Sequence, residues 1–268
     1  MSSRPDGGGR AGVGPAGEEL LSRVRPGEGA GGRPSPVDRT DRNERGAPPT
    51  QVGRWRIERV TGLVGDLLGR PWPSPPIPSV WFLAVERPAL VLGSTQPDVS
   101  RGGYHQADFD VVRRRSGGGA VLVEPGNPLW MDVLIPAGDR HWEADVGRAF
   151  LWLGDLWVAA LAAAGVAGAA VHRGPPRSTP LARTVCFAGL GTGEVTVDGR
   201  KVVGISQRRT RHAALFQCAA LLRWDPARVA AATGLPTSQV DELAGLAAGV
   251  PVAAAAIEQA VLQQLATH

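Results

Sequence analysis

Lysine is nearly absent from this chain. Of 29 basic residues, reading the sequence finds a single lysine, Lys201, which leaves 29 − 1 = 28 arginines. Where arginine serves almost everywhere else, one retained ammonium invites a chemical reason, because a compact ammonium and a planar guanidinium are different tools. Cysteine is scarce too. Cys186 and Cys218 are too few for a disulfide framework, which points to a reducing, cytoplasmic setting. The first residues hold no apolar stretch of the kind a secretory signal needs. His105, His141 and His172 lack metal-ligand spacing, so no metal site is expected. Helix-turn-helix patterns, zinc spacing and aromatic platforms are also missing, which argues against nucleic acid. The basic run at Arg208, Arg209, Arg211 and His212 then reads as a solvated strand edge or a docking patch.

One apolar run is long enough to span a bilayer, from Ala149 to Val171. Asp155 interrupts it, and Gly154, Gly165 and Gly168 weaken its helical character, so a buried helix and a turn are expected instead of a membrane segment. The balance of the chain is that of an ordinary soluble protein, 43% hydrophobic and 20% charged. A formal charge of +4 suits an anionic ligand or an acidic partner without choosing between them.

Residues 1–50 are rich in Gly, Pro, Arg and Ser and read as a disordered tail. Residues 51–224 read as one α/β domain and 225–268 as a small helical segment. The pattern predicts a helix over 57–68 and strands at 80–85, 89–93, 120–123 and 129–135. It predicts a long apolar helix at 143–164 and short strands at 169–172 and 184–187. Asp198-Gly199 should turn a hairpin between 193–197 and 200–206, with Lys201 near its tip. A strand over 213–222 follows. Asp225-Pro226 should start a helix that Gly234 closes, Ser238 with Asp241 resembles a capping box, and 253–265 is a last helix.

Three features carry chemistry. In Arg113-Arg114-Arg115-Ser116-Gly117-Gly118-Gly119-Ala120, glycines let backbone N–H groups crowd an anion while arginines neutralise it. Alone, such a run is often just a flexible loop. The Lys201 hairpin is the second feature. The third is Cys186, fifteen residues before Lys201. A lone cysteine is more often a small buried hydrophobe, but a nearby ammonium favours a thiolate nucleophile.

Together these residues resemble the biotin/lipoate protein ligase catalytic-domain family, in its lipoate-ligase and octanoyltransferase branches. Arg113 through Val121, then Gly126 and Asn127, follow one family pattern; Gly199, Lys201, Gly204, Ser206, Gln207 and Arg209 follow the other. The resemblance implies a central mixed sheet flanked by helices, like a class II tRNA-synthetase core, with a short helical C-terminal appendage. It implies protein acylation, the attachment of lipoate or octanoate to a lysine of a lipoyl domain. Acceptors would be lipoyl domains of 2-oxoacid dehydrogenase complexes or the glycine cleavage H protein. In the ligase branch the acid is activated as an acyl-adenylate, with ATP and Mg2+ required. Arg114 and Gly117–Gly119 would then hold phosphate, and Lys201 would touch the acyl carbonyl and α-phosphate. Arg113, Ser116, Ala120, Gly126, Asn127, Gly204, Ser206 and Gln207 complete the expected site. The rival branch uses a cysteine, here Cys186 in Cys186-Phe187, and takes its acyl group from acyl-carrier protein with no cofactor. A non-catalytic binding module on the same fold is a third possibility. Two departures stand out: Leu122-Val123-Glu124 where the family has an aromatic and His-Asp, and Gln217-Cys218 where it has His-Gly. Val80–Val85 and Val121–Val123 are the expected walls of an acyl slot.

Overall fold

A computed structural model describes residues 48–97 and 109–267. The expected tail lies outside the described residues as far as residue 47. Two strands open the described residues, β1 (Thr50–Val52) and β2 (Trp55–Gly62), where a helix over 57–68 was expected. Trp55 and Ile57 are buried while Arg56 and Glu58 between them are half-exposed, which is the two-residue period of a strand. Val60, Leu63 and Leu67 also fit a helical period, so pattern alone was ambiguous. Parallel pairing with β3 (Ser79–Val85) supplies partners for the backbone and decides it. Only the end of the segment is helical, as α1 (Val64–Gly69).

After β3 come β4 (Ala89–Leu92), β5 (Asp110–Arg113), β6 (Val121–Val123) and β7 (Leu129–Pro136). Next are α2 (Leu151–Ala163), β8 (Ala169–Val171), β9 (Val195–Val197), β10 (Arg200–Arg209) and β11 (Ala213–Ala220). The chain ends in α3 (Pro226–Thr233), α4 (Val240–Leu246) and α5 (Ala254–Thr267). Eight strands form a mixed sheet in the order β1-β2-β3-β7-β11-β10-β9-β8; β4, between β5 and β6, makes a second, small sheet. At the β9–β10 turn Asp198 (φ 50°) and Gly199 (φ 74°) both take the left-handed backbone that a tight primed turn demands.

The two faces of the large sheet bury different things. On one, α2 and α5 cover Trp55, Ile57, Met131, Val133 and Phe216, with Trp157 and Leu161 reaching down from α2. On the other, Trp81, Leu83, Trp130 and Leu134 meet α1 and the small sheet. The far side of the small sheet packs Leu90 and Leu122 against Val185, Phe187 and residues of α3 and α4.

Other expectations need correction. The apolar helix begins later than 143, because Asp145 accepts hydrogen bonds from the amides of Gly147 and Arg148 and starts a short 3-10 turn there. Among the described residues no helix is long and apolar enough to cross a membrane. The strand expected at 184–187 is a single bridge, Val185 to Ala120, after which Cys186–Ala188 turns as a 3-10 helix. No capping box forms at Ser238; Thr237–Gln239 is a 3-10 turn without a side-chain cap. Asp225 does cap α3, accepting from the Arg228 amide, and Gly234 (φ 71°) closes it. The C-terminal residues are helical as α3, α4 and α5; Ile257, Val261 and Leu265 of α5 belong to the main core, and Leu243 of α4 is fully buried in one cluster with Phe187.

Candidate active site

The glycine loop is stitched to the Cys186 turn by backbone hydrogen bonds. The Ala120 amide donates to Thr184 (2.8 Å) and the Cys186 amide donates back to Ala120 (2.9 Å). That closeness needs Gly119, since a side-chain carbon there would stand 2.6 Å from the Val185 carbonyl carbon. Gly93, at the end of β4, is equally confined; a carbon on it would stand 1.9 Å from the Gly118 oxygen. Gly118 itself has φ +98°, a backbone that side chains rarely accept. Gly117 is different: nothing lies within 4 Å of where its side chain would be.

Beside this loop lies a narrow apolar slot with a cavity volume of about 60 Å³. Val91, Val121, Val123, Trp130 and Phe187 form its walls, while Arg114, Cys186, Ser206 and Gln217 stand along it. Val121 and Val123 line it, while Leu122 between them faces the far side of the small sheet; Val80–Val85 do not line it, and apart from the exposed Ala84 they face the two cores of the large sheet. The buried Arg114 guanidinium donates to the Gly117 (2.7 Å) and Gly119 (2.9 Å) carbonyls. The Ser116 and Ser206 hydroxyls lie 3.1 Å apart, and Ser116 donates to Gln217. Behind Gln217, burial pushes the Asp132 carboxyl up to about 7, against the pull of hydrogen bonds from Trp130 and Gln217 and the charge of Arg70.

Lys201 is buried, at 3% side-chain exposure, although it sits one residue past a hairpin turn. Two features cause this. The β9–β10 register slips between Lys201 and Val203, and such a bulge re-aims a side chain. Residues 247–248 then cover the strand, with the Ala248 amide donating to the Lys201 carbonyl. The ammonium lies 2.7 Å from Glu194 Oε2, donates to the carbonyls of Cys186 (3.1 Å) and Gly189 (3.0 Å), and stands over the Phe187 ring. Burial alone disfavours that charge. The Glu194 carboxylate and Cys186 outweigh it, with Arg114 opposing, and hold the Lys201 pKa above its ordinary value. Cys218, by contrast, has its thiol pushed upward, first by burial and then by Asp132. It belongs to the packing.

Of the residues singled out from the sequence, Arg114, Ser116, Gly118, Gly119, Ala120, Cys186, Lys201, Gly204 and Ser206 come together around the slot and its loop. Gly204 leaves room for the lysine; a carbon on it would stand 3.2 Å from Lys201 Cε. Four others lie elsewhere. Arg113 donates to the Gly93 and Gln96 carbonyls, bracing β4. Gly126 (φ +73°) shapes a turn, and Asn127 accepts from the Leu222 and Arg223 amides, tying that turn to the end of β11. Gln207 points away from the slot, because alternation along β10 puts Gly204 and Ser206 on one face and Gln207, opposite Phe216, on the other. Glu194, Gln217 and Asp132 were not singled out as site residues. Glu194 gave no signal beyond being an acid at the start of a hairpin strand; its role needs the fold.

A family model for the lipoyl protein ligase A/B catalytic domain matches residues 70–266. The chain belongs to that family. It therefore carries a catalytic domain of the ligase or transferase type. Solved structures agree on the fold. Ta0514 from T. acidophilum, with bound lipoic acid, is 16% identical over 81% of this chain and 85% of that one, with a TM-score of 0.57. A lipoate-protein ligase A bound with ATP is 17% identical over 81% and 85%, TM-score 0.56. A bi-partite lipoate protein ligase from Thermoplasma acidophilum, described with its E2 lipoyl domain, is 16% identical over 81% and 84%, TM-score 0.57. At such identities the likeness establishes the fold alone. No curated protein sequence matches this one.

Proposed function

We propose that this lipoyl protein ligase A/B domain attaches a medium-chain acyl group, octanoyl or lipoyl, to a lysine of a lipoyl domain, through a thioester on Cys186. One observation carries the choice of route: Cys186 stands on the apolar slot, on a turn whose carbonyl is held by the one lysine, with the Arg114 guanidinium alongside. The Cys186 thiolate attacks the carbonyl carbon of an acyl-carrier thioester, and the carrier thiolate leaves. The neutral amine of the acceptor lysine then attacks the Cys186 thioester; an amide forms, Cys186 leaves as thiolate and the amine proton passes to solvent at the mouth of the slot. Positive charge fixed beside the reacting carbonyl stabilises the oxyanion of each step. Ligand pockets usually measure ~300–1,000 Å³. A cavity of about 60 Å³ is far smaller, so the acyl chain must part the slot walls as it enters.

Gly117 favours a second reading, ATP-dependent ligation. Its open backbone lets a phosphate approach the loop, and Arg114 would turn outward to meet it. The side chains do not fit a resident Mg2+. Among the described residues no three His, Cys, Asp or Glu cluster as metal ligands. Glu194 is engaged by Lys201 and two amides, and Asp132 by Trp130. In this reading Mg2+ arrives with ATP, which brings its own phosphate oxygens.

Intact-mass analysis separates the two. Incubation with octanoyl acyl-carrier protein should add one octanoyl group to this chain, and Cys186→Ser should abolish the adduct and the transfer. A Cys186→Ser protein that still lipoylates a lipoyl domain with lipoate and ATP would overturn the thioester route in favour of ligation.

A further inference from the structure

An ammonium has three N–H donors and no acceptor. All three of Lys201 are occupied by protein oxygens: Glu194 Oε2, the Cys186 carbonyl and the Gly189 carbonyl. Glu194 is no incidental partner. It is buried at 5% exposure, and its carboxylate also accepts from the amides of Gly191 (2.6 Å) and Ile205 (3.0 Å). These contacts fix its position from the turn before β9 and from β10. Gly204 clears the path of the lysine stem.

We propose that Glu194 is a positioning residue for acyl transfer: it pins the Lys201 ammonium beneath the Cys186–Ala188 turn, so that its charge stays fixed beside the slot. The proposal rests on the slot being the acyl site. Its physical content is a competition. A buried ammonium without a partner sheds its proton or swings toward water. Glu194 prevents both. The other titratable groups facing Lys201 are Cys186 on the turn and Arg114 on the glycine loop, and Arg114 opposes the ammonium. On α4, packed from the outside, Asp241 and Glu242 are exposed. Glu194 is therefore the one buried carboxylate holding that charge among the described residues.

The single lysine makes the test clean. Grown with 15N-lysine, the full chain yields one side-chain ammonium resonance, whose titration reports Lys201 alone. In the wild type its midpoint should lie above the ordinary 10.5. Glu194→Gln should lower it, since the largest force raising it is gone, and cut kcat by about 10²-fold, as a displacement of ~1 Å does, with little change in KM. Glu194→Asp should restore part of both. A Glu194→Gln protein with wild-type melting, an unmoved midpoint and undiminished kcat would refute the proposal. If Glu194→Gln does not fold, Gly204→Ala presses a methyl on Lys201 Cε while leaving the carboxylate intact. It should lower kcat and shift the midpoint, and the proposal fails if it moves neither. The titration is read without any acyl donor, so Glu194 stands or falls on it whether or not Cys186 is acylated.

Discussion

Two ion pairs within a few dozen residues of each other behave in opposite ways. Lys201–Glu194 leaves side chains 3% and 6% exposed; Arg173–Asp155 leaves them 58% and 51% exposed. Exposed pairs are screened by water and contribute little. A buried pair must first overcome the desolvation of both charges, so it is seldom retained for stability alone, yet losing one partner strands the other charge in the interior. On the proposed route the inner pair serves the reaction and the outer one is incidental.

The largest test breaks the inner pair. Lys201→Met strands the Glu194 carboxylate and should lower stability by ~3–5 kcal/mol, measured by urea unfolding. The double variant Lys201→Met with Glu194→Gln should lose less than either single change and still be inactive. Were the double variant as destabilised as the sum of the singles, the two side chains would be uncoupled and no charge would have been stranded by the single changes.

Asp132 is a buried carboxyl on the same sheet, and its pH dependence sharpens the comparison. Its pKa is raised from 3.8 to about 7. Between those values the folded chain holds a proton that the unfolded chain has released, so stability contributed by this group falls as pH rises from about 4 through 7. Asp132→Asn removes that loss. Above pH 7 it should raise stability by up to a few kcal/mol, because each tenfold difference in proton affinity between the folded and unfolded chains is worth ~1.4 kcal/mol; at pH 4 it should do almost nothing. An equal gain at both pH values would show that Asp132 is not the titrating group.

Next comes Gly119→Ala, which tests the cradle without touching a charge. The added methyl meets backbone atoms of Ala182, Val185 and Cys186 within 2.7 Å. It should cost ~1–3 kcal/mol by overpacking and open the loop–turn contact, reducing acyl transfer more than stability. Gly117→Ala, with open space around it, is the matched control for packing. Smallest of all, Arg173→Ala at the exposed pair should change stability by less than ~1 kcal/mol and leave transfer intact.

How far the sequence could be read differed from place to place. The Asp198-Gly199 turn was legible because two left-handed residues in a row leave few alternatives. The glycine loop was legible because consecutive glycines and arginines are locally uncommon and sit before a strand. The segment at 57–68 was not, because its apolar positions fit two periods and only pairing with β3 chose between them. Gln207 looked like a neighbour of Ser206, yet a strand sends adjacent side chains to opposite faces. Asn127 looked like a ligand-binding residue, and the fold uses its oxygen to hold the end of β11.

From the sequence alone came the family resemblance, the order of most strands, and the three features that carry chemistry: a glycine loop, a cysteine and a single lysine. These are local matters, set by residue type and spacing. Only the tertiary structure placed Glu194 under that lysine, closed the Cys186 turn onto Gly119, and buried a charge one residue beyond a hairpin turn. Those facts depend on a strand bulge, on residues 247–248 covering the site, and on backbone contacts between segments far apart in the chain. Burial is a property of what packs on top, and no short stretch of sequence contains it.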